Sequence, residues 1–150
     1  MADYKISFTD LKENMAFAVG KDLSISTKYS VEICNYLKGR KSSVAKKLLE
    51  KVITLEKAVP IKKFNRDTGH KAGIAAGRFP VNTAKAIIKI IESAEANAQN
   101  KGLGTELVII HMRANKTAAP YHYGRQRRRK MKRCHVEVVL AEEKKVEKND

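Results

Sequence analysis

Tryptophan is absent from this chain of 150 residues, and no apolar stretch approaches the roughly 20 residues that a membrane-spanning helix needs. Residues 1–12 contain acids and lack an apolar segment, so they do not read as a signal peptide, and a cytoplasmic location without membrane partners is expected. Cysteine is nearly missing: Cys34 and Cys134 are 100 residues apart, with no flanking Cys or His pairs at ligand spacing. That suggests neither a disulfide framework nor a zinc site and leaves two buried thiols as the expectation. The four histidines, His70, His111, His122 and His135, also miss metal-ligand spacing. No phosphate-binding G-x-x-x-x-G-K-[ST] run, no G-x-G-x-x-G and no H-E-x-x-H occurs. A nuclease would need carboxylates gathered around metal ions, whereas the acids here are assigned mainly to helix exteriors and the C-terminal end. Neither catalysis, nor a cofactor, nor a metal is therefore expected.

Negative charge is the other scarcity. Sixteen Asp and Glu face 31 Lys and Arg, for a net charge of +15 and a pI near 9.9, while 43% of the residues are hydrophobic. Such a chain has enough apolar material for one folded domain. Its positive surplus is self-repelling and implies an anionic partner, nucleic acid first and an anionic membrane second.

The residue pattern predicts one strand, three helices and a hairpin. Tyr4, Ile6 and Phe8 alternate with Lys5, Ser7 and Thr9, the period of a half-buried strand. Ser26 is placed to cap a helix with Ser30, Ile33, Cys34 and Leu37 on one face and Gly39 at its end. After a turn containing Arg40 and Lys41, a second helix starts at Ser42 or Ser43. Its stripe is Val44, Leu48, Leu49, Val52, Leu55 and Val59, and Pro60 stops it. The two helices are expected to pack as a hairpin. A third helix, Asn82 to Lys101, aligns Ala84, Ile87, Ile88, Ile91, Ala94 and Ala98, with Gly102 as its stop. Leu107 to Met112 and Cys134 to Leu140 read as paired strands.

Two basic segments interrupt this scheme. Ile61 to Pro80 holds Lys62, Lys63, Arg66, His70, Lys71 and Arg78 against the single acid Asp67, interspersed with Gly69, Gly73 and Gly77. It is longer than the about 12–15 residues beyond which a loop is usually functional or disordered, so it is either an anion-binding loop or a solvated flexible one. Pro120 to His135 contains Arg125, Arg127, Arg128, Arg129, Lys130, Lys132 and Arg133, preceded by Tyr121, His122 and Tyr123, with no acid. If the flanking strands pair, the about thirteen residues from Leu107 to Pro120 would carry the turn roughly 40 Å from the base of the sheet. A two-stranded arm is marginal in water, and one this cationic is repulsive, so it makes sense embedded in a polyanion. Arg side chains would grip phosphates and the aromatics would stack on unpaired bases. The bland alternative is a localisation signal or a nonspecific basic patch.

Several phrases resemble the family of ribosomal large-subunit protein twenty-two in the bacterial naming, eukaryotic seventeen, in its archaeal or eukaryotic version. AVPIKKFNRDTGHKAG at 58–73 with AGRFP at 76–80 is similar to a loop inserted in that version. ESAEANAQNKGL at 92–103 resembles its third helix, and RANK at 113–116 with CHVEVVLAEE at 134–143 resembles its hairpin strands. The resemblance covers about residues 20–143. It implies an α+β domain of three helices on a small three-stranded antiparallel sheet, with a long protruding β-hairpin whose tip lines the nascent-peptide exit tunnel. By position it assigns ribosomal RNA contacts in the body to Lys28, Arg40, Lys41, Lys62, Lys63, Arg66, His70, Lys71 and Arg78. In the arm it assigns them to Tyr121, Tyr123, Arg125, Arg127, Arg128, Arg129, Lys130, Lys132 and Arg133. Partners would be large-subunit RNA, neighbouring ribosomal proteins and the nascent peptide. The family's Arg-Ala-x-Gly-Arg-Ala tip phrase is missing, and only Tyr123 to Arg125, Tyr-Gly-Arg, stands in its place. The expected organisation is one RNA-binding domain over 1–143, with the arm at about 107–140 and a flexible charged tail at 144–150. A free nucleic-acid-binding regulator is the competing class.

Overall fold

A computed structural model describes residues 6–142, so Tyr4, Lys5, Glu143 and the tail at 144–150 lie outside the described residues. The elements run β1 (Met15–Leu23), α1 (Thr27–Leu37), α2 (Ser42–Ile53), β2 (Val59–Pro60), β3 (His70–Lys71), β4 (Ile74–Arg78), α3 (Val81–Asn100), β5 (Leu107–Lys116) and β6 (Cys134–Glu142). This is an α+β fold. The main antiparallel sheet has the order β1-β6-β5, and a second, small sheet has the order β2-β4-β3.

The first strand is not where alternation placed it. Residues 6–10 form no strand, and the ladder begins at Met15, paired with Ala141. The alternation at 6–8 has another cause: the segment crosses the second face of the main sheet. Phe8 packs on Met15, Val139 and Ala141, while Ser7 turns its backbone N–H (3.0 Å) and its hydroxyl onto the buried Glu137 carboxylate. That cover explains why β6 is buried on both faces from Val136 to Ala141, instead of alternating as expected for a half-exposed strand. Its other face, Val136, Val138 and Leu140, joins the main core.

Helix α3 supplies the middle of that core. Ala84, Ile87, Ile91, Ala94 and Ala98 are fully buried, as the stripe predicts, and Ile88 is partly buried. Its end is a Schellman turn: Leu103 N–H donates to Ala98 O (3.0 Å) and Gly102 N–H to Gln99 O (2.9 Å), with Gly102 at φ +72°. Helix α2 ends the same way at Ile53, earlier than expected. Glu56 N–H donates to Lys51 O (2.9 Å) and Leu55 N–H to Val52 O (3.3 Å), so Leu55 takes the left-handed φ of 65° and points outward. The buried stripe of α2 is accordingly Ala45, Leu49 and Val52; Val44 and Leu55 are exposed, and Val59 belongs to β2.

Helices α1 and α2 do not pack as a hairpin. Helix α1 lies on β5 and α2 on α3, because the turn between them is tied to the sheet edge. Gly39 N–H donates to Ile109 O (2.8 Å) and Ile109 N–H to Arg40 O (2.9 Å). This covers the outer edge of β5, which would otherwise present unpaired backbone groups. Ser26 occupies the N-cap position of α1 without a side-chain cap bond; its carbonyl instead accepts from the Ser30 N–H and hydroxyl, both 2.9 Å.

Candidate nucleic-acid interface

The segment from Ile61 to Pro80 is not a structureless loop. Strand β4 pairs on one side with β2 (Val59 with Arg78, Pro60 with Gly77) and on the other with β3 (His70 with Ala76, Lys71 with Ile74). The β3–β4 turn uses Gly73 at φ +73°, and at Gly77 a Cβ would come within 2.7 Å of the Ile74 side chain. The whole insertion is pinned to α1 by Glu32. This side chain is buried (2% exposed), and its carboxylate accepts the backbone N–H groups of Lys62 (3.0 Å), Lys63 (2.8 Å) and Phe64 (2.8 Å). A lone buried carboxylate costs several kcal/mol, and three charge-assisted bonds of about 1.5–3 kcal/mol each offset that cost. The result is a rigid platform whose Lys62, Lys63, Arg66, His70, Lys71 and Arg78 are all exposed. Lys63 and Lys71 lie over the Phe64 and Phe79 rings, at 5.6 and 5.8 Å from the centroids.

The second basic segment continues the β5–β6 ladder. Regular pairing runs from Leu107 with Glu142 to Lys116 with Cys134, broken by a bulge between Ile109 and His111. Strand β1 supports β6 as far as the pair Leu23 with Cys134, so within the β5–β6 hairpin the part with no third strand beside it begins near Thr117. At about 3.3 Å per residue, the nine residues from Thr117 to Arg125 span at most roughly 30 Å. Beyond the ladder, Met131 N–H donates to Pro120 O (2.7 Å) and His122 N–H to Arg129 O (2.8 Å), and a single helical turn at Gly124–Gln126 closes the tip. Every residue from Pro120 to Lys130 is exposed, Tyr123 at 86%. Tyr121 has the Lys130 ammonium 5.2 Å from its ring centroid.

The expected contact residues fall into groups. Lys28, Lys132 and Arg133 surround one cleft between the first turn of α1, the insertion and the base of the arm. Arg40 and Lys62 share a shallow depression with Lys38, and the Arg40 guanidinium lies 4.9 Å over Tyr36 while donating to its carbonyl (2.9 Å). Lys41 is differently placed: it forms an ion pair with Glu106 beside β5. None of the tip residues from Tyr121 to Lys130 lines either of these clefts. Sequence reasoning missed Glu32, Phe64 and Lys38. Glu32 was concealed by its position next to Ile33 on an ordinary amphipathic helix, and only an acid bordering an apolar stripe could have drawn notice.

Neither thiol fits a chemical role. Burial pushes Cys34 far up and, more weakly, Cys134, against the opposing hydroxyls of Ser30 and Thr27, so both stay protonated. Among the described residues, no three His, Cys, Asp or Glu gather as a metal site would require, and no helix is long and apolar enough to cross a membrane.

A small α+β body with a pinned basic platform and an acid-free cationic arm has the charge pattern that marks polyanion-binding proteins as a class. The chain belongs to the family described as ribosomal protein L22p/L17e, whose model matches residues 18–141. It is similar to archaeal proteins named large ribosomal subunit protein uL22. The one from Methanoculleus marisnigri is 38% identical over 151 aligned positions, 95% of this chain and 99% of that protein. Those from Methanosphaera stadtmanae (39%; 87% and 90% covered) and Archaeoglobus fulgidus (38%; 83% and 86% covered) are comparable. These relatives are archaeal, in keeping with the archaeal or eukaryotic version that the insertion at 58–80 indicated. The family is structural and not enzymatic.

Proposed function

We propose that this chain is a structural constituent of the large ribosomal subunit, in the cytoplasm, that binds large-subunit RNA through both basic segments. One domain serves as the anchor and residues 117–133 as its RNA-embedded arm. The body contacts are Lys28, Arg40, Lys62, Lys63, Arg66, His70, Lys71 and Arg78, with Lys41 contributing beside Glu106. The arm contacts run from Tyr121 to Arg133, and the tip reaches toward the nascent-peptide exit tunnel, beside neighbouring ribosomal proteins. The observation that carries this reading is the arm: seven cations and no acid from Pro120 to Arg133, with full exposure from Pro120 to Lys130, attached to a body whose core does not use it. Such a tract gains most where phosphates surround it and its counterions are released.

Sedimentation of a cell lysate through a high-salt sucrose gradient tests the proposal. An integral subunit protein co-migrates stoichiometrically with the large subunit after the wash. Recovery at the top of the gradient would instead indicate reversible, salt-sensitive RNA binding, as a free regulator would show.

A further inference from the structure

We propose that the cleft between α1, the insertion and the base of the arm seats a single unpaired RNA nucleotide, an inference that rests on the RNA-binding reading above. The cleft has a volume of about 630 Å³ and draws its walls from three segments distant in sequence. Tyr29 from α1, Phe64 from the insertion and Met131 from the arm supply flat or polarisable apolar surface, and all three are half-buried. Lys28, Lys132 and Arg133 stand around them, and no Asp or Glu lines the cleft.

These features select the occupant. A cleft of this size falls within the range of about 300–1,000 Å³ that suits small ligands. Its charge selects an anion, and its two aromatic rings select a planar group; a nucleotide is both at once. Paired RNA cannot offer a free base, whereas single-stranded RNA is read by stacking splayed bases on aromatic side chains. The base would lie against Phe64 and Tyr29, and its phosphate would meet Lys28, Lys132 and Arg133. Asn65, the one side-chain amide of the lining, presents both donors and an acceptor to a base edge. Its left-handed backbone (φ 55°) belongs to a turn closed by the Thr68 N–H donating to Asn65 O (3.1 Å).

Phe64 is the position to test, because Glu32 holds its backbone N–H and not its ring, so Phe64→Ala leaves the platform pinned. The purified full chain is titrated, by fluorescence anisotropy, with a short labelled single-stranded oligoribonucleotide of mixed sequence and with its blunt duplex. Phe64→Ala should weaken single-strand binding by about five- to 150-fold, the worth of one stacked base. Duplex binding and the salt slope should stay as in the parent, since no phosphate contact is lost. Phe64→Trp should retain single-strand affinity. Equal losses on both RNAs, no loss on either, or failure of Phe64→Trp to retain affinity would overturn the cleft while leaving the RNA-binding reading intact. A parent protein that binds neither RNA would overturn that reading, and the cleft with it.

Discussion

Glu32 decides whether the inserted platform is rigid. Glu32→Gln keeps the shape but replaces one acceptor oxygen with a donor, leaving at least one of the Lys62, Lys63 and Phe64 N–H groups facing an NH2 group. The expected loss is about 2 kcal/mol in urea denaturation, with faster hydrogen exchange at those three amides; parent-like protection there would disprove the pinning. A second residue sets a pH dependence. Burial holds His111 below the ordinary imidazole range; Glu137 opposes this, and Lys38 and Arg113 reinforce it. The ring is therefore neutral near pH 7, and its 3.8 Å approach to the Glu137 carboxylate is not an ion pair there. Because the folded pKa is depressed, the unfolded chain takes up the proton first as pH falls below about 6.5. Stability from this site is present above that pH and is lost as pH drops toward the folded value. His111→Gln should flatten the fall in the urea midpoint between pH 7.5 and 5.5, and an equal fall in both proteins would refute the assignment.

At the scale of elements, two helices end on the same turn with different residues. Helix α3 has Gly102 at the left-handed position; α2 has Leu55, which is 59% exposed and so gains little from packing. A left-handed non-glycine residue costs roughly 1–2 kcal/mol, partly cancelled by the greater backbone entropy a glycine loses on folding. Leu55→Gly should therefore stabilise the protein by about 0.5–1 kcal/mol in thermal or urea melts; destabilisation would mean that Leu55 makes a contact its exposure does not reveal. The same contrast shows what the sequence made legible. Helix α3 is legible because its stripe runs unbroken to a glycine stop, while the apolar spacing of α2 continues past its end because its stop is a leucine. Strands β2 and β3 are two residues each, too short for any period to register. Strand β1 was missed because its core-facing residues are the small Ala16 and Ala18, while the covering segment at 6–8 imitates a strand through Ser7 and Phe8.

For the whole molecule, charge and core occupy different places, and that separation was only half visible in sequence. Both basic segments stood out by composition, and the family phrases placed them. What linear reading could not supply is their meeting: Lys28, Phe64 and Arg133 come together only through the packing of α1 on β5 and the bond network of Glu32. The arm's side chains from Pro120 to Lys130 contribute nothing to the core, so its charges should be dispensable for folding and needed only for assembly. Reversing three of them in Arg127→Glu, Arg128→Glu and Arg129→Glu removes mutual repulsion at the tip and disturbs no buried group. The purified triple variant should unfold within about 0.5 kcal/mol of the parent, as surface changes do. In cells it should be depleted from high-salt-washed large subunits relative to the parent chain. A loss of more than about 1 kcal/mol in the isolated protein would show that the arm braces the body; full incorporation of the folded variant would show that phosphate neutralisation by this tract does not hold the protein in the subunit.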